Sequence, residues 1–266
     1  MSHNKILQTD VLKSLENKFL KQSDYIAVET PLEIRLGYDS DSFQSLAITM
    51  CSPDDINDLI FGYLFTENII QKADDISEIN VYDNEMGLIV EVILIKSIAY
   101  NNFLNKRHGM VHASCGICGK TEFDELLTYK YPHNQSNKNR IAGEIIQSLP
   151  QQLSNHQQGF TKTGGLHASA LFTDKGDLMT VKEDIGRHNA LDKLIGSALQ
   201  KKLLPLKDHV ILLSGRVSFE LVHKSLMAGA TALAAIGAPS SLSVEIAKVN
   251  KLDLFGFVKP SGFNQY

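Results

Sequence analysis

Three cysteines are all that the 266 residues carry: Cys51 stands alone, while Cys115 and Cys118 sit two residues apart. So few, placed so unevenly, do not make a disulfide framework. Also lacking is any run of ~18 apolar residues, so no membrane-spanning helix is expected. Residues Met1 to Leu20 are polar and mixed in charge, unlike a secretory leader, and the expected compartment is a reducing cytoplasm. Charge of one sign is short as well. Against 30 Asp and Glu stand 26 Lys and Arg, a formal net charge of −4, which gives no overall pull toward nucleic acid or an anionic membrane. An anionic ligand must therefore be met locally. The apolar share of 43% is enough for a sizeable core, and the length suits one large domain or two ordinary ones.

What is present is concentrated in Ser114-Cys115-Gly116-Ile117-Cys118-Gly119-Lys120. The glycines let the backbone turn tightly and leave both sulfurs reachable. Lys106, Arg107, His108 and His112 precede the pair and Lys120 follows it. Cationic neighbours favour thiolate, which is both nucleophile and metal ligand. Three chemistries fit: a dithiol/disulfide couple, half of a zinc site, or a cysteine that carries a sulfur atom. Cys51 reads as a small buried apolar residue.

The first half reads as an α+β unit, residues 1–135, with the C-x-x-C loop (106–120) at its end. Residues 1–24 read as an arm, loosely held, with at most a short helix. Strands are expected over Tyr25–Leu36, Phe43–Met50, Ile76–Tyr82 and Leu88–Ile95, the last two joined at Asp83-Asn84. Between them lies a helix with Ser52 as N-cap, Pro53 first, and Ile56, Leu59, Ile60, Tyr63 and Leu64 on one face. A short helix is expected over Glu122–Tyr129, and the polar stretch Tyr131–Asn139 reads as the linker. The second half, 136–266, alternates: a helix Ile141–Leu149, a hairpin Leu166–Phe172 and Leu178–Lys182, a helix capped by Asp184, a strand Val210–Leu213, a helix Ser218–Ala230, a strand Ala232–Ile236, a helix Leu242–Asn250 and a strand Leu254–Val258. That pattern predicts a layered α/β sheet, whose ligand crevice lies beyond the carboxyl ends of its strands. Arg187 and His188, Ser214, Gly215 and Arg216, Ala238 to Ser241 with Ser240 among them, and Lys259 to Gly262 fall at those ends. Glycines and serines before helices, with Arg187, Arg216 and Lys259, suit an anion of phosphate type, such as a nucleotide.

The hairpin followed by α-β-α-β resembles the cytidine-deaminase-like fold. Zinc deaminases carry H-x-E at one helix start and P-C-x-x-C at the next. Here the stretches read His188-Asn189-Ala190 and Gly215-Arg216-Val217-Ser218-Phe219, so the general acid/base and two ligands are missing. One histidine does not hold a zinc that wants three protein ligands, and no zinc is expected.

Taken together, SCGICGK (114–120), TGGLHASALF (163–172), EDIGRHNALDKLIG (183–196), SGRVSFELVHKSLMAG (214–229) and GAPSSLSVEIA (237–247) resemble the FdhD family of formate dehydrogenase accessory sulfurtransferases, as do ETPLEIRL (29–36) and FGYLFTENII (61–70). The resemblance implies a sulfur relay in which a cysteine desulfurase loads a persulfide on Cys115. Cys118 belongs to the same loop. The sulfur then passes to the molybdenum (or tungsten) bis-molybdopterin guanine dinucleotide cofactor, bound as substrate, that formate dehydrogenase needs. The resemblance also maps cofactor binding onto Phe257, Val258, Lys259, Pro260, Ser261 and Gly262. A cofactor with two guanine dinucleotides suits two related sites, which a homodimer would supply. The rival readings are a thiol-disulfide oxidoreductase and a metal-binding C-x-x-C module.

Overall fold

The computed structural model describes residues 4–16, 18–96, 129, 131 and 141–266. The Cys115/Cys118 loop, the helix expected at 122–129 except for Tyr129, and the boundary at 135/136 lie outside the described residues.

The chain opens with two ten-residue strands, β1 (Ile6–Leu15) and β2 (Lys18–Ala27), paired antiparallel from Ile6↔Ala27 to Leu15↔Lys18. This replaces the expected arm. Its apolar residues at 6, 7, 11, 12, 15, 19, 20, 25, 26 and 27 do not alternate, so a period of two was not visible. The ribbon is solvated on both faces, with Phe19 71% exposed on one and Leu20 52% exposed on the other.

A second sheet has the order β4-β3-β6-β5, from β3 (Thr30–Gly37), β4 (Gln44–Cys51), β5 (Ile76–Asn84) and β6 (Gly87–Leu94). The single strand expected over 25–36 is thus two, and the β5–β6 turn falls at Glu85-Met86. Leu32, Ile34, Leu36, Leu88, Val90 and Val92 alternate onto the face covered by helix α1 (Ile56–Thr66). The helix starts later than its capping signals suggest, at Asp55, which adopts φ 51°. Ser52 is drawn away: its N–H donates to Asp184 Oδ2 (3.0 Å) and its hydroxyl accepts from Ile185 N–H (3.1 Å). A buried tertiary contact here outcompetes a local cap.

The third sheet has six strands in the order β12-β11-β10-β9-β7-β8: β7 (His167–Thr173), β8 (Leu178–Asp184), β9 (His209–Leu213), β10 (Ala232–Ala235), β11 (Asp253–Lys259) and β12 (Gly262–Gln265). β9, β10 and β11 run parallel, and β7, β8 and β12 complete the sheet antiparallel. One face packs on α2 (Gly143–His156) through Ile146, Leu149 and Leu153. The other packs on α4 (Arg187–Gln200), α5 (Phe219–Met227) and α6 (Ser241–Val249). α2 runs on past its expected end, through Pro150, because Leu153 continues the buried stripe of Ile146 and Leu149. A short α3 (Gln158–Thr163) follows, its N-terminal Gly159 and Phe160 N–H groups donating to the Glu183 carboxylate at 2.8 Å each. The last strand, β12, was not expected, so residues 259–262 form a hairpin turn rather than a free strand end. This is a mixed α/β fold with several sheets.

α1 and α4 join the second and third sheets at very close range. A Cβ on Gly62 would lie 1.8 Å from the Asp192 carbonyl oxygen, and one on Gly196 would lie 1.9 Å from that of Asp58. Two buried ionic clusters flank this crossing. Lys193 Nζ reaches Asp184 (2.7 Å), Asp54 (3.0 Å) and the Ser52 carbonyl (3.1 Å). Lys224 Nζ reaches Asp192 (2.7 Å) and Thr66 Oγ1 (2.9 Å).

Candidate functional site

The strand ends bring the expected residues to one edge of the third sheet. β9 and β10 deliver Ser214–Arg216 and Ile236–Ser240 there, and β11 delivers Phe257–Lys259. β7 is antiparallel to β9, so its first residue, His167, lies at the same edge, paired with Asp184 at the end of β8. α4 then begins at Arg187 and His188, after the N-cap Gly186.

The turns after β9 and β10 are laced together. Val217 N–H donates to Ala238 O (3.0 Å), Ser240 N–H to Val217 O (3.0 Å), Gly237 N–H to Gly215 O (3.2 Å) and Phe257 N–H to Gly237 O (3.1 Å). A Cβ at Gly237 would sit 2.6 Å from the Gly215 oxygen, so only glycine allows the approach. These amides are spent inside the protein, and the expectation that both turns offer open rows of N–H donors does not hold at Val217, Gly237 and Ser240. Ser214 pairs with β7: its hydroxyl accepts from Ala168 N–H (2.9 Å) and its N–H donates to Ala168 O (2.9 Å). Ser240 caps α6 by accepting from Ser243 N–H (3.3 Å). What faces outward is side-chain charge. Arg216 and Lys259 are exposed. Arg187 is partly buried, and its Nε is enclosed without a hydrogen-bond partner among the described residues.

His188 is buried, its Nε2 2.7 Å from Glu220 Oε2 and 3.1 Å from Ser218 Oγ. This explains why Ser218, the N-cap of α5, makes no side-chain cap of its own. Phe257 stands half exposed at φ 53°, an unusual backbone state for an aromatic residue, at the bulge between Gly256 and Lys259. Ile236 is exposed on the neighbouring strand end. Val258 is buried against the sheet, and Pro260 and Ser261 make the turn into Gly262.

Sequence reasoning assigned no role to His167. Its ring lies over Gly215, where an added Cβ would meet Nδ1 at 3.2 Å. Burial holds its pKa below the ordinary value, and Arg187, His188 and Arg216 push it further down against Asp184. Its signal was its position: the first strand residue after Thr163-Gly164-Gly165, hence at the edge facing the basic helix start.

Tyr131 Oη shares a hydrogen bond with His223 Nδ1 on α5 at 2.9 Å, with Tyr129 packed edge-on against both rings. Cys51 is fully buried, and burial, then Asp184, drives its thiol up to about 12, so it is no nucleophile. Among the described residues no three His, Cys, Asp or Glu side chains are grouped to hold a metal ion, and no helix is long and apolar enough to cross a membrane.

A family model described as FdhD/NarQ matches residues 27–266. The sulfur carrier protein FdhD of Streptomyces avermitilis is 38% identical over 263 residues, covering 96% of this chain and 92% of the relative. That of Sulfurisphaera tokodaii is 38% identical over 245 residues, 92% of this chain and 90% of its own. The crystal structure of a candidate formate dehydrogenase accessory protein from Desulfotalea psychrophila is similar in fold, with a TM-score of 0.73 at 21% identity, covering 98% of this chain and 96% of that one.

Proposed function

Because this chain belongs to the FdhD/NarQ family, we propose that it is a sulfur carrier serving formate dehydrogenase. The observation that carries the reading is the similarity, over nearly the whole length, to proteins named sulfur carriers. The sequence offers its own carrier in Cys115, set in a glycine-rich, basic stretch with Cys118. In the loading step the Cys115 thiolate attacks the outer sulfur of a cysteine desulfurase persulfide. A new S–S bond forms on Cys115, the old one breaks, and the desulfurase cysteine leaves as thiolate. The sulfur is then handed to the molybdenum bis-molybdopterin guanine dinucleotide cofactor, held as substrate, and the protein acts as a sulfurtransferase in the cytoplasm. We take the second half as a cytidine-deaminase-like layered domain without the zinc site. In support, His188 Nε2 is already met by Glu220 and Ser218, and Ala190, Arg216 and Phe219 stand where the deaminase pattern needs other residues. A homodimer would give the two guanine dinucleotide arms equivalent sites.

Cys115→Ser is expected to abolish persulfide loading and formate dehydrogenase activation while leaving the fold intact, and Cys118→Ser to slow transfer. Mass spectrometry after incubation with a cysteine desulfurase and cysteine reads this directly. Wild type gains about 32 Da, removable by reductant. A labile sulfur accumulating on Cys118 of Cys115→Ser at the wild-type rate would reverse the two roles.

The edge with Arg187, Arg216 and Lys259 suits the phosphates of the guanine dinucleotide, and Phe257 with Ile236 offers an apolar surface to a flat ring. GDP is expected to bind in the micromolar to millimolar range and more weakly as salt is added. Arg216→Ala and Lys259→Ala should each weaken it about 10- to 100-fold, as expected for losing one charge-assisted hydrogen bond to phosphate. Calorimetry showing both variants binding like wild type would move the site elsewhere.

A further inference from the structure

The edge described above holds an imidazole that the proposed function does not use. His167 sits among basic side chains: Arg187 and His188 from the start of α4, and Arg216 from the turn after β9. The acid acting on it is Asp184 at the end of β8, and that carboxylate is already committed. Asp184 Oδ2 pairs with Lys193 Nζ at 2.7 Å and accepts from Ser52 N–H at 3.0 Å. Its Oδ1 accepts from Gly186 N–H at 2.8 Å and from Asn189 Nδ2 at 3.2 Å. His188, in turn, is matched by Glu220. Among the described residues the charge left uncompensated around His167 is therefore positive. Arg187 adds an enclosed Nε with no hydrogen-bond partner among the described residues. Two guanidinium groups and a half-buried imidazole so placed suit an anion.

We propose that His167 is a further ligand-binding residue of this edge, an imidazole that takes up a proton from solvent as a phosphate group settles among it, Arg187 and Arg216. The inference rests on the nucleotide-phosphate reading above and adds the residue and its protonation. The physical reason is reciprocal. In the empty site the arginines disfavour imidazolium, and an incoming phosphate offsets their charge and gives imidazolium an acceptor. Binding and protonation then favour each other. His167 in the complex has a higher pKa than in the free protein. Its contribution to affinity is complete below the free value and is lost as pH rises through the bound one.

The test is calorimetry of GDP binding near pH 7 in buffers of different protonation enthalpy. Wild type should take up roughly half to one proton per GDP. His167→Gln should abolish that uptake and bind about 3- to 10-fold more weakly at pH 6, the difference closing toward pH 8. Lys259→Ala should bind weakly yet keep the uptake, because its charge is not the one that titrates. The phosphate's own proton loss at low pH is common to wild type and His167→Gln, so their ratio isolates the imidazole. The His167 ring resonance of wild type, followed by NMR, should titrate at higher pH with GDP than without, which needs no variant. GDP binding to wild type with no proton uptake, or uptake unchanged in His167→Gln, overturns the inference and leaves the nucleotide reading standing. No GDP binding to wild type at low salt overturns both.

Discussion

Gly62→Ala is expected to destabilise the protein by about 3 kcal/mol or more, at the upper end of overpacking costs. The sign is informative. In a helix interior alanine is favoured over glycine by about 1 kcal/mol, so local propensity alone predicts stabilisation. The opposing effect is backbone contact. The new methyl would lie 1.8 Å from the Asp192 carbonyl oxygen, where ordinary contacts begin near 3.4 Å. No rotamer relieves this, since the atom met is backbone. α1 and α4 must separate, and with them the cluster of Thr66, Asp192 and Lys224 that bridges the same crossing, in which Thr66 Oγ1 donates to Asp192 Oδ1 at 3.0 Å. Gly196→Ala meets the mirror obstacle on Asp58 and should behave alike. Denaturant unfolding of the two variants checks the expectation. Alanine at either position leaving stability unchanged or higher would mean that the helices do not cross at this distance.

Lys193→Met should cost about 3–5 kcal/mol, the range for removing one partner from a buried ion pair. Lys193 is fully buried at the point where the Ser52–Asp54 loop meets β8 and α4. Burial pulls its ammonium down, but Asp184 and Asp54 more than reverse this, so it stays charged. Methionine keeps the stem's volume and loses the charge, leaving Asp184 in the interior with only Ser52, Gly186 and Asn189 as donors. Lys193→Met/Asp184→Asn should recover part of the loss, since a neutral amide costs less to bury than an unpaired carboxylate. Chemical denaturation of the single and double variants measures both effects. A single variant within about 1 kcal/mol of wild type would place the pair among those of little net worth.

Both variants bear on what could be read without the fold. The apolar period of Leu191, Leu194, Ile195, Ala198 and Leu199 named a core-facing helix, and all five are buried in α4. In the same helix Asp192 and Lys193 gave no sign of burial. A charged residue is taken as solvent-facing unless its partner is known, and their partners Lys224 and Asp54 lie far along the chain. Capping was misread for a related reason. Ser52 and Asp184 have the right chemistry for N-caps, but each finds the other across the interface of α1 and α4. The helix expected to end at Leu149 continues through Pro150, because the stripe through Leu153 carries α2 past it.

The sequence by itself determined the family, the basic and glycine-rich surroundings of Cys115 and Cys118, and the alternation of strands and helices in the second half. These rest on local residue types and short periods that survive in one dimension. It also showed that Arg187, Arg216 and Lys259 follow or precede regular elements. Only the tertiary structure decided that they share an edge, because in the order β12-β11-β10-β9-β7-β8 strands β8, β9, β10 and β11 run one way and β7 is reversed between β9 and β8. That reversal turns the first residue of β7, rather than its last, toward the site, and so brings in His167. Tertiary contact likewise decided which donors remain for a ligand. The amides of Val217, Gly237 and Ser240 point from one turn to the next, and their bonds exist only because the two glycine-bearing turns pack backbone to backbone.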